Sequence, residues 1–214
     1  MHVFEPGKPY WWQWPTILSF DAPSVAVAWQ WMFARAAHEH LDWYHYAIIF
    51  AAVWIIYAAD RWLEGWRLRP DQVKTQRHYF YQRHRWPLFS LWVVVMIAGL
   101  VLALTRLTLP EIRYGFILLA PVILYTFSHQ FLHRHHPWRA PKEICVAVLF
   151  AFGVVCFTLA RAPSVLTVIA LPLALFSLLC LANCALISIW EDEVDRIHGQ
   201  TSLALQYPGV RRFV

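Results

Sequence analysis

An all-α bundle of about six transmembrane helices is the fold class the sequence predicts, and three observations predict it. Only 14% of the 214 residues are charged while 59% are hydrophobic, against roughly a quarter charged in a soluble domain. The charges are clustered, leaving long uncharged apolar runs between them. The 13 Trp are many for this length and suit anchoring at membrane–water interfaces. The whole chain, 1–214, is expected to be a single integral membrane domain.

Six spans can be drawn, at about 16–34, 43–59, 88–105, 114–128, 144–160 and 165–190. Most have the roughly 17–25 residues a bilayer crossing needs. The first is the weakest, because it contains Asp21, Pro23 and Gln30. The fourth is a little short. Pro121 and Pro172 fall inside spans, where neighbouring groups can satisfy the carbonyls that proline frees. Residues 1–14 are polar and aromatic, so no cleavable signal peptide is expected. Cys145, Cys156, Cys180 and Cys184 all lie in apolar runs and read as small core residues rather than a disulfide framework or a metal site.

Charge sets the expected orientation. With the N-terminus in the cytoplasm, 14 of the 18 basic residues lie inside. Only Arg35, Arg106, Arg113 and Arg161 lie outside, which satisfies the positive-inside rule. The localisation expected is integral to the membrane, of the bacterial inner-membrane kind. The outward loops are short. The inward segment 60–87 reads as a long loop dense in Arg, Lys, His and Tyr, where function is expected.

Two acidic pairs then stand on the cytoplasmic side. Asp60 and Glu64 are four apart just after the second apolar run. Glu191 and Asp195 are four apart just after the sixth, within the run Glu191-Asp192-Glu193-Val194-Asp195. If each helix continues out of the membrane, the members of a pair share one face, one turn apart. Crowding four negative charges into five residues costs free energy through repulsion. A solvated face tolerates this by screening, and a cation site would use it. Mg²⁺ prefers one or two carboxylates with phosphate oxygens and water. Arg61, Arg67, Arg69, Lys74, Arg77, Arg83 and Arg85 are either the positive-inside signal alone or, in part, contacts to a diphosphate. Tyr57 and Asn183 stand near the two pairs on the second and sixth spans, and Ser188 lies near the end of the sixth.

The two pairs together resemble the two aspartate-rich motifs of the UbiA superfamily of membrane prenyltransferases. The first motif commonly reads Asn-Asp-x-x-Asp-Arg-x-x-Asp, and here Ile56-Tyr57-Ala58-Ala59-Asp60-Arg61-Trp62-Leu63-Glu64 fits its later part. The second commonly reads Asp-x-x-x-Asp-x-x-x-Gly-x-x-Thr-Leu. Glu191, Asp195, Gly199, Ser202 and Leu203 fall at its offsets, and Pro141-Lys142-Glu143 is similar to the family's Lys-containing entry to the fifth helix. The resemblance implies Mg²⁺ carried by Asp60, Glu64, Glu191 and Asp195. It implies a polyprenyl diphosphate contacted by Arg61, Lys74, Lys142, Tyr57 and Asn183, and a lipid-soluble or aromatic acceptor that receives the prenyl group. Membrane lipid is the surrounding partner, and no nucleic acid is expected. The sequence departs from the pattern at Ile56 and Tyr57, where the family has Asn and Asp, and at Glu64 and Glu191, where it has Asp. The family usually has nine helices, so a chain ending at Val214 reads as about three helices short.

Two alternatives come from other classes. One is a non-catalytic membrane protein of the same fold, which Tyr57 and the short C-terminal side favour. The other is a histidine-ligated metal oxidase. His129, His133, His135 and His136 are similar to one histidine box of membrane di-iron enzymes, but such sites need several boxes, and His38, His40, His78 and His84 do not supply them.

Overall fold

The computed structural model describes residues 8–67, 73, 75–127, 142–192, 196, 202–207 and 209. Among them every regular element is a helix. The α-helices are α1 (Trp14–Ile17), α2 (Asp21–Ala36), α3 (Trp43–Arg67), α4 (Gln76–Arg83), α5 (Arg85–Arg106), α6 (Leu109–Phe127), α7 (Lys142–Arg161), α8 (Leu166–Trp190) and α9 (Leu203–Gln206). The chain divides into two compact units, Met1–Met32 with His40–Thr108, and Phe33–Glu39 with Leu109–Val214.

Among the described residues, four stretches are long and apolar enough to cross a membrane: Trp43–Trp66, Arg85–Arg106, Glu143–Arg161 and Pro163–Trp190. They correspond to the second, third, fifth and sixth expected spans. Their outward faces carry Val94, Ile97, Leu104, Leu171, Leu175 and Leu178 in the open. An apolar surface of that extent is a liability in water and an asset in lipid. Pro121 and Pro172 sit inside continuous helices, as the sequence suggests.

The first expected span is not one helix. α1 ends in a Schellman motif, in which Phe20 N–H donates to the Pro15 carbonyl at 2.7 Å and Ser19 N–H to that of Thr16 at 3.2 Å. Ser19 takes the left-handed conformation the motif requires, φ 58°, where glycine is the usual residue. Its hydroxyl shares a 3.2 Å hydrogen bond with Tyr81 Oη, so a tertiary contact helps hold a conformation the local sequence does not favour. Burial raises the Tyr81 phenol above its ordinary pKa, and the Ser19 hydrogen bond opposes that shift. α2 ends the same way, with His38 left-handed at φ 56° and Glu39 N–H donating to the Ala34 carbonyl at 2.9 Å.

In the first unit, indole N–H groups fasten helices to backbone. Trp54 Nε1 donates to the Leu18 carbonyl, Trp62 Nε1 to that of Arg85 and Trp92 Nε1 to that of Ile55, each at 2.9 Å. The rings fill space and the N–H finds a partner, as a buried tryptophan requires. In the second unit α7 is the buried centre, with Ala147, Ala151, Val154 and Val155 all buried. Phe176 of α8 packs against Phe33 and Phe150. α6 and α7 are joined at one end by Glu111 and Arg161, with Nε to Oε1 at 2.9 Å and Glu111 only 1% exposed.

Gln30 is fully buried, and neither side-chain amide atom has a hydrogen-bond partner. A buried polar group left unsatisfied costs about 1–3 kcal/mol. Gln30→Met is therefore expected to stabilise the protein by about that amount, read as a rise in the thermal unfolding midpoint in detergent. Arg161→Ala should act oppositely. It leaves the Glu111 carboxylate buried without its cation, at a cost of about 3 kcal/mol in the same measurement.

Candidate functional site

The first acidic pair sits on a helix that outruns its apolar part. At about 1.5 Å per residue, α3 is about 37 Å long, beyond the roughly 30 Å of a hydrocarbon core. The helix continues unbroken through Asp60 and Glu64 to Arg67, so the two carboxylates do lie one turn apart on one face. Much of the expected loop 60–87 is helical: α3 runs on to Arg67, α4 takes Gln76–Arg83, and α5 begins at Arg85.

Their environments differ. Asp60 is exposed. Glu64 is drawn inward, and its Oε2 accepts from Arg61 Nη1 at 3.0 Å and from His78 Nε2 at 3.0 Å. His78 is 2% exposed. Its Nδ1 lies 2.7 Å from Thr75 Oγ1, and that same oxygen accepts from the His78 backbone N–H at 3.4 Å as the cap of α4. With Nε2–H donating to Glu64, the other ring nitrogen, Nδ1, faces the Thr75 hydroxyl, so both edges of the ring are engaged. The sequence singled out Glu64 as a metal ligand and set His78 aside for poor spacing. The structure makes them partners, because α4 folds back on α3. That approach is close at Gly65, where a Cβ would lie 3.3 Å from Gln82 N. Thr75-x-x-His78, a capping residue three before a histidine, was the available signal for the α4 start.

The same stretch of α3 also contributes Ala58, Ala59, Trp62 and Leu63 to a cavity of about 200 Å³, lined further by Trp54, Tyr81, Phe89 and Trp92. Its wall is almost wholly apolar and aromatic. Trp62 packs on Trp66 at 5.4 Å and on Phe89 at 5.3 Å between ring centroids. Two of the basic residues have local uses. The Arg85 guanidinium stands over the rings of Trp66 and Trp86 at 5.2 and 5.9 Å, a cation–π arrangement, and Arg83 donates to Tyr79 Oη at 3.0 Å. Tyr57 is half-buried on α3, one residue short of a turn before Asp60. Lys74 and Arg69 lie outside the described residues, as does the side chain of Arg67.

The second acidic segment is different in kind. α8 ends at Trp190 and Glu191 is its C-cap, φ −97° and ψ 9°. The helix therefore stops at the first member of this pair. Asp192 pairs with Arg196 at 3.3 Å, four residues on, which offsets part of the repulsion within the acidic run. Asp195 lies outside the described residues, as do Gly199 and the histidine cluster 129–136. Asn183 is exposed on α8 and Ser188 is buried. Ser188 Oγ donates to the Ala185 carbonyl at 2.8 Å. Lys142 is the first residue of α7, and its side chain lies outside the described residues. Its neighbour Glu143 is described: Oε1 accepts from Leu203 N at 2.9 Å. Two pieces of the resemblance, the α7 entry and the tail of the second motif, are thus in contact.

No group of three or more His, Cys, Asp or Glu able to hold a metal occurs among the described residues. Asp60, exposed at a helix end, suits the one-carboxylate contact that Mg²⁺ makes when phosphate supplies other oxygens. Glu64 does not fit as a second ligand in this arrangement, because a cation there would face the Arg61 guanidinium and the His78 ring N–H. The chain is compatible with an integral membrane protein, with four helices of suitable length and hydropathy among the described residues. No family model, curated protein or solved structure matches it.

His78→Ala is expected to destabilise the first unit by about 1–3 kcal/mol, since Glu64 and Thr75 both lose a buried partner. Thermal unfolding followed by tryptophan fluorescence checks this. An unchanged midpoint would show that the network contributes nothing.

Proposed function

We propose that the protein binds a polyprenyl diphosphate from the membrane and transfers its prenyl group to a lipid-soluble acceptor, as a UbiA-like prenyltransferase of about six spans with a cytoplasmic N-terminus. The observation that carries this reading is an aromatic cavity lined in part by Ala58, Ala59, Trp62 and Leu63, the α3 residues that flank Asp60 and Arg61 in sequence. An apolar pocket next to a polar helix end suits an amphiphile with an isoprenoid tail and a charged head. On this reading the tail occupies the space between Trp54, Trp62, Phe89 and Trp92. Those π-faces favour positive charge, which is the charge an allylic group gains as diphosphate departs. Arg61 offers donors to the diphosphate, and Asp60 would hold Mg²⁺ together with its oxygens. The ion would supply neutralisation of the leaving group. Glu191 and Asp195 carry the second motif by the resemblance, and Lys142 and Lys74 are its further diphosphate contacts. Glu64 and His78 act here as positioning residues that orient Arg61.

One observation favours the second reading, a non-catalytic protein of the same fold. Glu64, a ligand position in the family motif, is engaged by Arg61 and His78.

Equilibrium binding of tritiated geranylgeranyl diphosphate to the full chain in lipid nanodiscs, with and without Mg²⁺, separates the two. Prenyl transfer requires Mg²⁺-dependent binding that Asp60→Asn and Arg61→Ala each weaken about tenfold or more, and that Asp195→Ala abolishes. Absence of binding, or binding indifferent to these changes, leaves the non-catalytic reading standing.

A further inference from the structure

At one end of the second unit, acceptor oxygens are buried with too few donors. Glu143, the second residue of α7, is 3% exposed. One of its carboxylate oxygens accepts from Leu203 N, and the other, Oε2, is buried without a hydrogen-bond partner. Ser202, directly before that amide, is 1% exposed, and its Oγ also has no partner. Gln206 lies one turn further on, its N–H donating to the Ser202 carbonyl at 2.9 Å, and its Oε1 is buried and likewise unpartnered. The residues that carry this carboxylate, hydroxyl and amide oxygen are thus linked through the Glu143–Leu203 hydrogen bond and the single turn 202–206.

Burying such groups unpaired costs about 1–3 kcal/mol each, more for a charge. Two of them lie on one short piece of backbone, and the third is on the α7 carboxylate that bonds the amide between them; we read the three as sharing a partner. The set is all oxygen and includes one negative charge, the donor chemistry that hard cations prefer over softer transition metals. None of these residues belongs to the two acidic pairs, and the inference does not rest on prenyl transfer.

We propose that Glu143, Ser202 and Gln206 form a binding site for a hard metal cation, of the Na⁺, Mg²⁺ or Ca²⁺ class, that fastens the segment 202–206 to the start of α7. Binding to the folded state alone raises stability with cation concentration and then saturates.

The test uses the full chain in detergent micelles, exchanged into metal-free choline chloride, with no diphosphate present. NaCl, MgCl₂ and CaCl₂ are titrated separately at constant ionic strength, and the thermal unfolding midpoint is read at each concentration. At least one cation is expected to raise the midpoint saturably. Glu143→Gln should remove that rise, and Ser202→Ala should move its half-saturation about tenfold higher while keeping the Glu143–Leu203 bond. If Glu143→Gln fails to fold, Ser202→Ala decides. No saturable rise with any of the three cations overturns the proposal, as does a rise that Ser202→Ala leaves in place. Either result would mean that water or a proton on Glu143 satisfies these oxygens.

Discussion

A helix longer than the hydrocarbon it crosses must carry polar residues out of it and find them partners. α3 meets this constraint most visibly. Its 25 residues exceed the span of a bilayer core by somewhat more than one turn, and its polar end holds Asp60, Arg61 and Glu64. The first unit answers by folding α4 back over the projecting end. His78 reaches Glu64, Thr75 holds His78, and Gly65 leaves room for the α4 backbone. Trp62 ties the same stretch to the first turn of α5 through the Arg85 carbonyl. The aromatic cavity is a by-product of this packing: three large indoles and Phe89 line it, while Ala58 and Ala59 leave it open.

The second unit handles polar groups by burying them in pairs at the ends of α7. Glu111 and Arg161 close one end with a charge-assisted hydrogen bond. Glu143 closes the other on a backbone amide sixty residues away. The two solutions differ in completeness. The first pairs opposite charges, so both groups are satisfied. The second pairs a full negative charge with one neutral donor, and leaves oxygens at Glu143, Ser202 and Gln206 that protein alone does not satisfy. That imbalance is why the α7 entry is the more informative of the two ends.

The spans were largely legible because the bilayer imposes a simple rule of length and hydropathy. Residues 88–105, 144–160 and 165–190 fall within helices that begin or end within a few residues of the expected limits. The rule failed at 16–34, where Ser19 adopts a left-handed conformation held partly by Tyr81, a contact 62 residues away. It also misjudged 60–87, because an eight-residue amphiphilic helix capped by Thr75 carries little hydropathy of its own. The site was legible only as a list of charged residues. Asp60 and Glu64 look equivalent in sequence, two carboxylates one turn apart, yet one is exposed and the other is shared by Arg61 and His78.

By itself the sequence determined a helical chain of membrane type with polar helix ends, although it drew six spans where the described residues hold four candidates, since helix period and transfer free energy act on neighbouring residues. Tertiary structure alone decided which charges meet. His78 came to Glu64, Arg161 to Glu111 and Leu203 to Glu143 across separations of 14, 50 and 60 residues. Short-range pattern carries no information about such pairings. They are chosen by how helices pack, and by the cost of leaving a buried polar atom without a partner.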